Sequence, residues 1–254
     1  MLKVSRLTKR YHHRAVVDEV SFCVGRGEVL GYLGPNGSGK STTVRMLTGL
    51  LEPTCGQAWY GGRNIREDLV AFKRVLGYVP EEPYLYPYLT GREYLQLTGR
   101  LRGLPEKSLN EKIEALLNLF SLFEYRFSPI ASYSKGMKQK VLITAALLHD
   151  PEVLIFDEPL SGLDVTTALI FRNLIHSLAR EGKVILYSSH VLEVVEKVCT
   201  RVLILRQGKV VANDSVEHLR RLLESPSLED VFAQLVVQED TVKIAEEMVA
   251  VMKG

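Results

Sequence analysis

The sequence predicts an α/β fold, on three observations. Short apolar runs alternate with helical patterns along most of the 254 residues, which is the arrangement of a sheet covered by helices. Two of the runs, 153–156 (VLIF) and 184–189 (VILYSS), show no polar alternation, as expected of strands covered on both faces in the middle of a parallel sheet. The stretch 90–128 reads as two helices with no strand between them, a small helical subdomain inserted in the α/β core.

Taken in order, the runs at 2–6, 15–24, 28–33 and 57–60 are separated by glycines and charged residues and read as strands of an N-terminal sheet. Further strands are expected at 75–79, 152–156, 183–188 and 201–205, and helices at 40–49, 134–149, 165–180 and 191–198, where apolar residues recur at spacings of three and four. Thr90 followed by Glu93 spells a capping box that opens the first inserted helix. Gln207-Gly208 hinges a strand pair. From about residue 214 the chain turns helical, with Ser227 and Asp230 bounding another helix start. No internal repeat or low-complexity tract is visible.

Hydrophobic residues make up 46% and charged residues 24%, which excludes a disordered or fibrous chain. The formal charge of +2 gives no general drive toward nucleic acid or anionic lipid, so no nucleic-acid partner is expected. Cys23, Cys55 and Cys199 lack metal-ligand spacing and read as reduced thiols. The N-terminal residues lack the apolar core of a secretory signal, and no stretch approaches the ~18 apolar residues of a membrane span. A cytoplasmic chain is expected; for work at a membrane, another chain must supply the span.

The strongest motif is the run Gly34, Pro35, Asn36, Gly37, Ser38, Gly39, Lys40, Ser41 and Thr42, which fits GxxxxGK[ST] between a strand and a helical run. Glycines let successive backbone N–H groups turn toward a phosphate, and the helix N-terminus adds its positive dipole end. In such a loop Lys40 bridges the β- and γ-phosphates and Ser41 offers a hydroxyl to Mg²⁺, so ATP and Mg²⁺ are the expected cofactors. The second motif is the apolar strand 153–156 ending in Asp157 and Glu158. It sets two carboxylates at the C-terminal edge of a strand, where open α/β sheets bind ligands. Asp157 is expected to hold hydrated Mg²⁺ and Glu158 to act as general base toward the attacking water. An isolated Asp-Glu pair would be a solvated acidic turn.

Over nearly its whole length the chain resembles the ATP-binding-cassette (ABC) ATPases, the nucleotide-binding subunits of ABC transporters. The resemblance implies a P-loop NTPase core with an N-terminal antiparallel β subdomain and an inserted α-helical subdomain. It divides the chain into an ATPase domain at 1–213, with the helical subdomain at about 88–150, and a C-terminal helical extension at 214–254. It implies that Tyr11 stacks on adenine; taken alone, Tyr11 is a tyrosine at a strand edge. The family signature LSGGQ is replaced by 133–137 (YSKGM), retaining Ser134 and Gly136 as the residues that meet the γ-phosphate across a dimer interface. Alone, Ser134 before a helix is an N-cap. Asp164 ends the match to the loop connecting the two sites, and His190 matches the switch histidine that contacts the γ-phosphate.

Glu81 stands where the family has a glutamine that touches Mg²⁺ and reports to the membrane subunit. A carboxylate still suits Mg²⁺ but adds negative charge near the γ-phosphate. Lys135 and Met137 also depart from the signature. These departures, with 89–93 (LTGRE) and 227–232 (SLEDVF), resemble the branch serving two-component exporters of drugs, lipids, polysaccharides or antibiotics. The implied protein is an ATP-hydrolysing motor subunit, peripheral on the cytoplasmic face of the cell membrane. It would dimerise with itself or a related cassette and drive a separate transmembrane permease. The competing reading is a soluble ABC ATPase acting on ribosomes, DNA or iron–sulfur assembly; tandem cassettes or long coiled coils, which mark such members, are absent from the sequence.

Overall fold

The computed structural model describes residues 1–236, 248, 249, 251 and 252. The first two strands, β1 (Leu2–Tyr11) and β2 (Arg14–Val24), form an antiparallel hairpin. β1 outruns the expected 2–6 because the register shifts between Val4 and Leu7 and again before Lys9, with Arg6 at φ 45°, which breaks the apolar alternation. The next strand, β3 (Val29–Leu33), does not join this sheet as expected. All five of its residues are buried, and it pairs in parallel inside a second sheet. A continuous apolar strand has no face to offer solvent, so it belongs where both faces are covered.

Helix α1 (Lys40–Leu47) follows β3. β4 (Cys55–Tyr60) and β5 (Arg63–Asn64) then return to the first sheet, whose order is β2-β1-β4-β5. The short helix α2 (Leu69–Val75) was not foreseen. It has seven residues, buries Phe72 alone and therefore shows no stripe; the Asp68 side chain caps it by accepting from the Ala71 N–H at 2.8 Å.

The second sheet is completed by β6 (Leu76–Val79), β7 (Val153–Asp157), β8 (Val184–Ser188), β9 (Arg201–Arg206) and β10 (Lys209–Ser215), in the order β10-β9-β3-β8-β7-β6. β10 is the antiparallel edge, turned back at Gln207-Gly208. Alternate residues of the central strands point to opposite layers. Tyr32, Ile155, Leu186 and Leu203 pack with α1 and the first sheet. Leu33, Phe156, Tyr187 and Ile204 pack against the helical side.

Between β6 and β7 run the inserted helices α3 (Gly91–Leu101) and α4 (Glu106–Leu119), followed by α5 (Lys135–Leu147). The capping box forms in both directions: Glu93 N–H donates to Thr90 Oγ1 at 3.2 Å, and Thr90 N–H to Glu93 Oε2 at 2.8 Å. Helices α6 (Val165–Arg180) and α7 (Leu192–Val198) link the later strands. The chain then continues through α8 (Val216–Leu222) and α9 (Leu228–Val236), the latter with Ser227 hydrogen-bonded to Asp230 as its sequence suggests. Of the expected extension at 214–254, residues 237–247, 250, 253 and 254 lie outside the described residues.

Candidate nucleotide site

The loop between β3 and α1 wraps one side of a cavity of about 370 Å³, lined by Pro35 to Thr42 together with Val16, Glu81, Asp157, Glu158 and His190. Gly39 precedes α1 at φ 103°, and a Cβ there would stand 2.6 Å from the Val16 carbonyl oxygen. Only glycine fits that turn. Because no side chain caps α1, its first N–H groups keep their donors for a ligand in the cavity. Lys40 Nζ donates to the Gly34 carbonyl at 2.5 Å and the Pro35 carbonyl at 3.3 Å. Burial lowers the Lys40 pKa, opposed by the negative charges of Glu158, Asp157 and Glu81.

Asp157 is the last residue of β7 and is buried. Its pKa is pushed up to about 6, first by loss of solvent and then by Glu81 and Glu158. A carboxylate so placed calls for a cation opposite it, and the oxygen donors Ser41, Asp157 and Glu81 share one cavity. That set fits Mg²⁺, a hard ion that takes few protein oxygens and completes its shell with water and phosphate. Among the described residues no group of three or more His, Cys, Asp or Glu side chains forms a metal cage of its own.

Glu158 turns out of the strand at φ 48°, an uncommon conformation for a non-glycine residue. Its N–H donates to the Ser188 carbonyl at 2.9 Å. Its carboxylate is divided between two partners of the loop after β8: Ser189 Oγ donates to Oε2 at 3.2 Å, and His190 Nδ1 lies 2.8 Å from Oε1. The Glu158 side chain is 12% exposed and that of His190 72%.

Other expected site residues stand apart from this cavity. Ser134 caps α5, accepting from the Met137 N–H at 3.2 Å. A Cβ on Gly136 would stand 2.5 Å from the Gly162 carbonyl oxygen, and the aliphatic stem of Lys135 covers Gly162. Asp164 caps α6 through the Thr167 N–H at 2.8 Å and the Thr167 hydroxyl at 2.6 Å. Those bonds hold its carboxyl down at about 2. The head of α5 is thus seated on the segment after Glu158, and neither element lines the cavity of its own chain. Tyr11 is likewise outside the cavity. It is 48% exposed at the end of β1, with Lys9 Nζ 5.3 Å from its ring centre.

Three residues of this region were missed in the sequence. Val16 lines the cavity. Gln139, fully buried on α5, donates from Nε2 to the Pro159 carbonyl at 3.1 Å. Ser189, which hydrogen-bonds Glu158, is the third. Its adjacency to His190 was the only local sign, since its partner lies 31 residues away.

Residues 17–161 match the profile of the family described as ABC transporter. The chain belongs to this family. Among curated relatives of this ABC protein, the ABC transporter ATP-binding protein NatA of Bacillus subtilis is 37% identical over 243 residues, covering 94% of this chain and 99% of NatA. The bacitracin transport ATP-binding protein BcrA of Bacillus licheniformis is 37% identical over 222 residues, covering 87% of this chain and 72% of BcrA. A solved ATP-binding subunit of an ABC transporter superposes with a TM-score of 0.87 at 35% identity, over 92% of this chain and 99% of that one. The fold is that of the ABC ATPases, and the protein is an ATP-binding, ATP-hydrolysing subunit of an ABC transporter. No helix among the described residues is long and apolar enough to cross a membrane.

Proposed function

We propose that this ATPase is the motor of a two-component exporter, working as a dimer with two MgATP between its copies and driving a separate permease from the cytoplasmic face of the membrane. The observation that carries the dimer is the division of the site. The P-loop, Glu81, Asp157, Glu158 and His190 share one cavity, whereas Ser134, Gly136 and Asp164 stand outside it. Each site would then be closed by α5 of a second copy, its Ser134 hydroxyl and helix N-terminus donating to the γ-phosphate.

In this reading the P-loop amides and Lys40 hold the β- and γ-phosphates, Tyr11 stacks on the adenine, and Ser41, Asp157 and Glu81 hold Mg²⁺. The ion supplies charge neutralisation on the phosphate oxygens when bound. Glu158 accepts the proton of the attacking water, and His190 orients toward the γ-phosphate. The permease would dock beside Glu81, where Tyr84, Tyr86 and Tyr88 are exposed, Tyr88 at 92%. The export direction is supported by the resemblance of 89–93 and 227–232 to the exporter branch. The chain divides, in this proposal, into the ATPase domain at 1–213, with its helical subdomain at about 88–150, and the extension from 214.

Sedimentation of Glu158→Gln with and without MgATP tests the reading. A stalled base should trap an ATP-bound dimer, and adding Ser134→Arg should abolish it while each P-loop still binds nucleotide. A Glu158→Gln protein that stays monomeric at saturating ATP and tens of micromolar protein, alone and with its permease, would overturn the dimer.

A further inference from the structure

We propose that Ser189 is the positioning residue of the catalytic carboxylate: its hydroxyl keeps Glu158 aimed while His190 exchanges that carboxylate for the phosphate. The inference rests on the reading of Glu158 as the base. In the structure both oxygens of Glu158 are engaged, Oε2 by Ser189 Oγ at 3.2 Å and Oε1 by His190 Nδ1 at 2.8 Å. The two partners differ in how firmly they are held. Ser189 is 4% exposed, and its oxygen also accepts the Val191 N–H at 3.1 Å, so the hydroxyl proton is directed at Glu158. The His190 ring is largely solvent-exposed and is fixed by no other hydrogen bond among the described residues.

His190 on Oε1 occupies one of that oxygen's two lone-pair positions and so competes there with the attacking water. A γ-phosphate bound in the cavity that His190 lines would be a competing acceptor for the ring, and departure of the ring frees Oε1 for the water. Once the ring has moved, the remaining side-chain hydrogen bond to Glu158 is that of Ser189. A carboxylate on two or three rotatable bonds would otherwise sample orientations that do not face the water, and misaimed groups lose most of their catalytic effect. The backbone contributes the other half of the clamp, since Glu158 N–H is tied to the Ser188 carbonyl. The loop after β8 thus holds the base at its amide and at one oxygen, and leaves the second oxygen for chemistry.

The test is steady-state and single-turnover ATP hydrolysis by the full chain. Ser189→Ala should lower kcat about ten- to hundredfold, the size of one hydrogen bond to a charged group, with KM for ATP unchanged. Ser189→Thr, which keeps the hydroxyl, should restore turnover. In a Glu158→Gln background Ser189→Ala should cause no further loss of the single-turnover rate. Turnover of Ser189→Ala within twofold of wild type overturns the proposal, as does a loss confined to KM or one that persists at the same factor in the Glu158→Gln background. If the alanine variant does not fold, Ser189→Cys retains the size with a weaker donor, and wild-type turnover in it overturns the proposal equally. Wild-type turnover in Glu158→Gln itself would instead remove the reading of Glu158 as the base.

Discussion

Among the described residues Lys40 is the only lysine or arginine lining the nucleotide cavity, and it faces three carboxylates, Glu81, Asp157 and Glu158. Lys40→Ala removes that cation and leaves the acids opposite the phosphates of any incoming nucleotide. One lost hydrogen bond to a charged group costs about 1.5–3 kcal/mol. Truncating one member of a buried charge pair costs about 2–5 kcal/mol, because the other charges remain unpaired. The two overlap, so the expected loss is about 3–5 kcal/mol, or roughly 10²–10⁴-fold in Kd for MgATP. Lys40 also holds the Gly34 and Pro35 carbonyls, so circular dichroism should accompany the measurement, to show that the fold survives. Titration calorimetry with MgATP gives the affinity and phosphate release gives the turnover. A folded Lys40→Ala protein that binds MgATP within threefold of wild type and still hydrolyses it would refute the assignment of the P-loop lysine.

Tyr11→Ala should weaken ATP binding by about 1–2 kcal/mol with turnover at saturation intact, the size of an aromatic–base stack; equal titration curves would return Tyr11 to a strand-edge residue. Glu81→Gln removes one negative charge and retains an oxygen donor, so Mg²⁺ dependence should survive while turnover changes; identical rates across a Mg²⁺ titration would separate Glu81 from the metal. His149 donates to the Leu76 carbonyl at 3.0 Å, and its pKa is lowered to about 4 by burial and by the charges of Arg102 and Lys112, against Asp150. Below the ordinary histidine value near ~6.5 the unfolded chain takes up a proton that the native ring refuses, so stability falls between roughly pH 6.5 and 4. Allowing for solvent screening of a half-buried ring, that loss is about 1–2 kcal/mol. His149→Gln should be less sensitive over the same interval in urea titrations at pH 7 and 5, and parallel curves for the two proteins would contradict the burial of a neutral ring.

Much of this site was legible in the sequence because its parts are local. The P-loop is one continuous turn whose glycines and lysine follow from backbone geometry, and Asp157-Glu158 terminates an apolar strand that nothing but a covered sheet would bury. The same locality explains the capping box at Thr90 and the helix start at Ser227. Where a feature depends on a distant partner, sequence reading failed. β3 was placed in the wrong sheet, because five apolar residues state that a strand is covered without stating by what. The helix α2 buries a single residue and leaves no periodic trace.

The sequence by itself determined the alternation of covered strands with helices, the phosphate loop, the acidic pair and the family to which they belong. All of these are written in contiguous residues whose spacing has a direct steric or electrostatic meaning. Tertiary structure alone decided that Ser189 and His190 divide the carboxylate of Glu158, and that Gln139 ties α5 to Pro159. It also decided that Ser134, Gly136 and Asp164 stand outside the cavity formed by their own chain. Hydrogen bonds of this kind join residues 20 to 32 positions apart, and their partners are chosen by how strands and helices pack, which no local pattern of residues records.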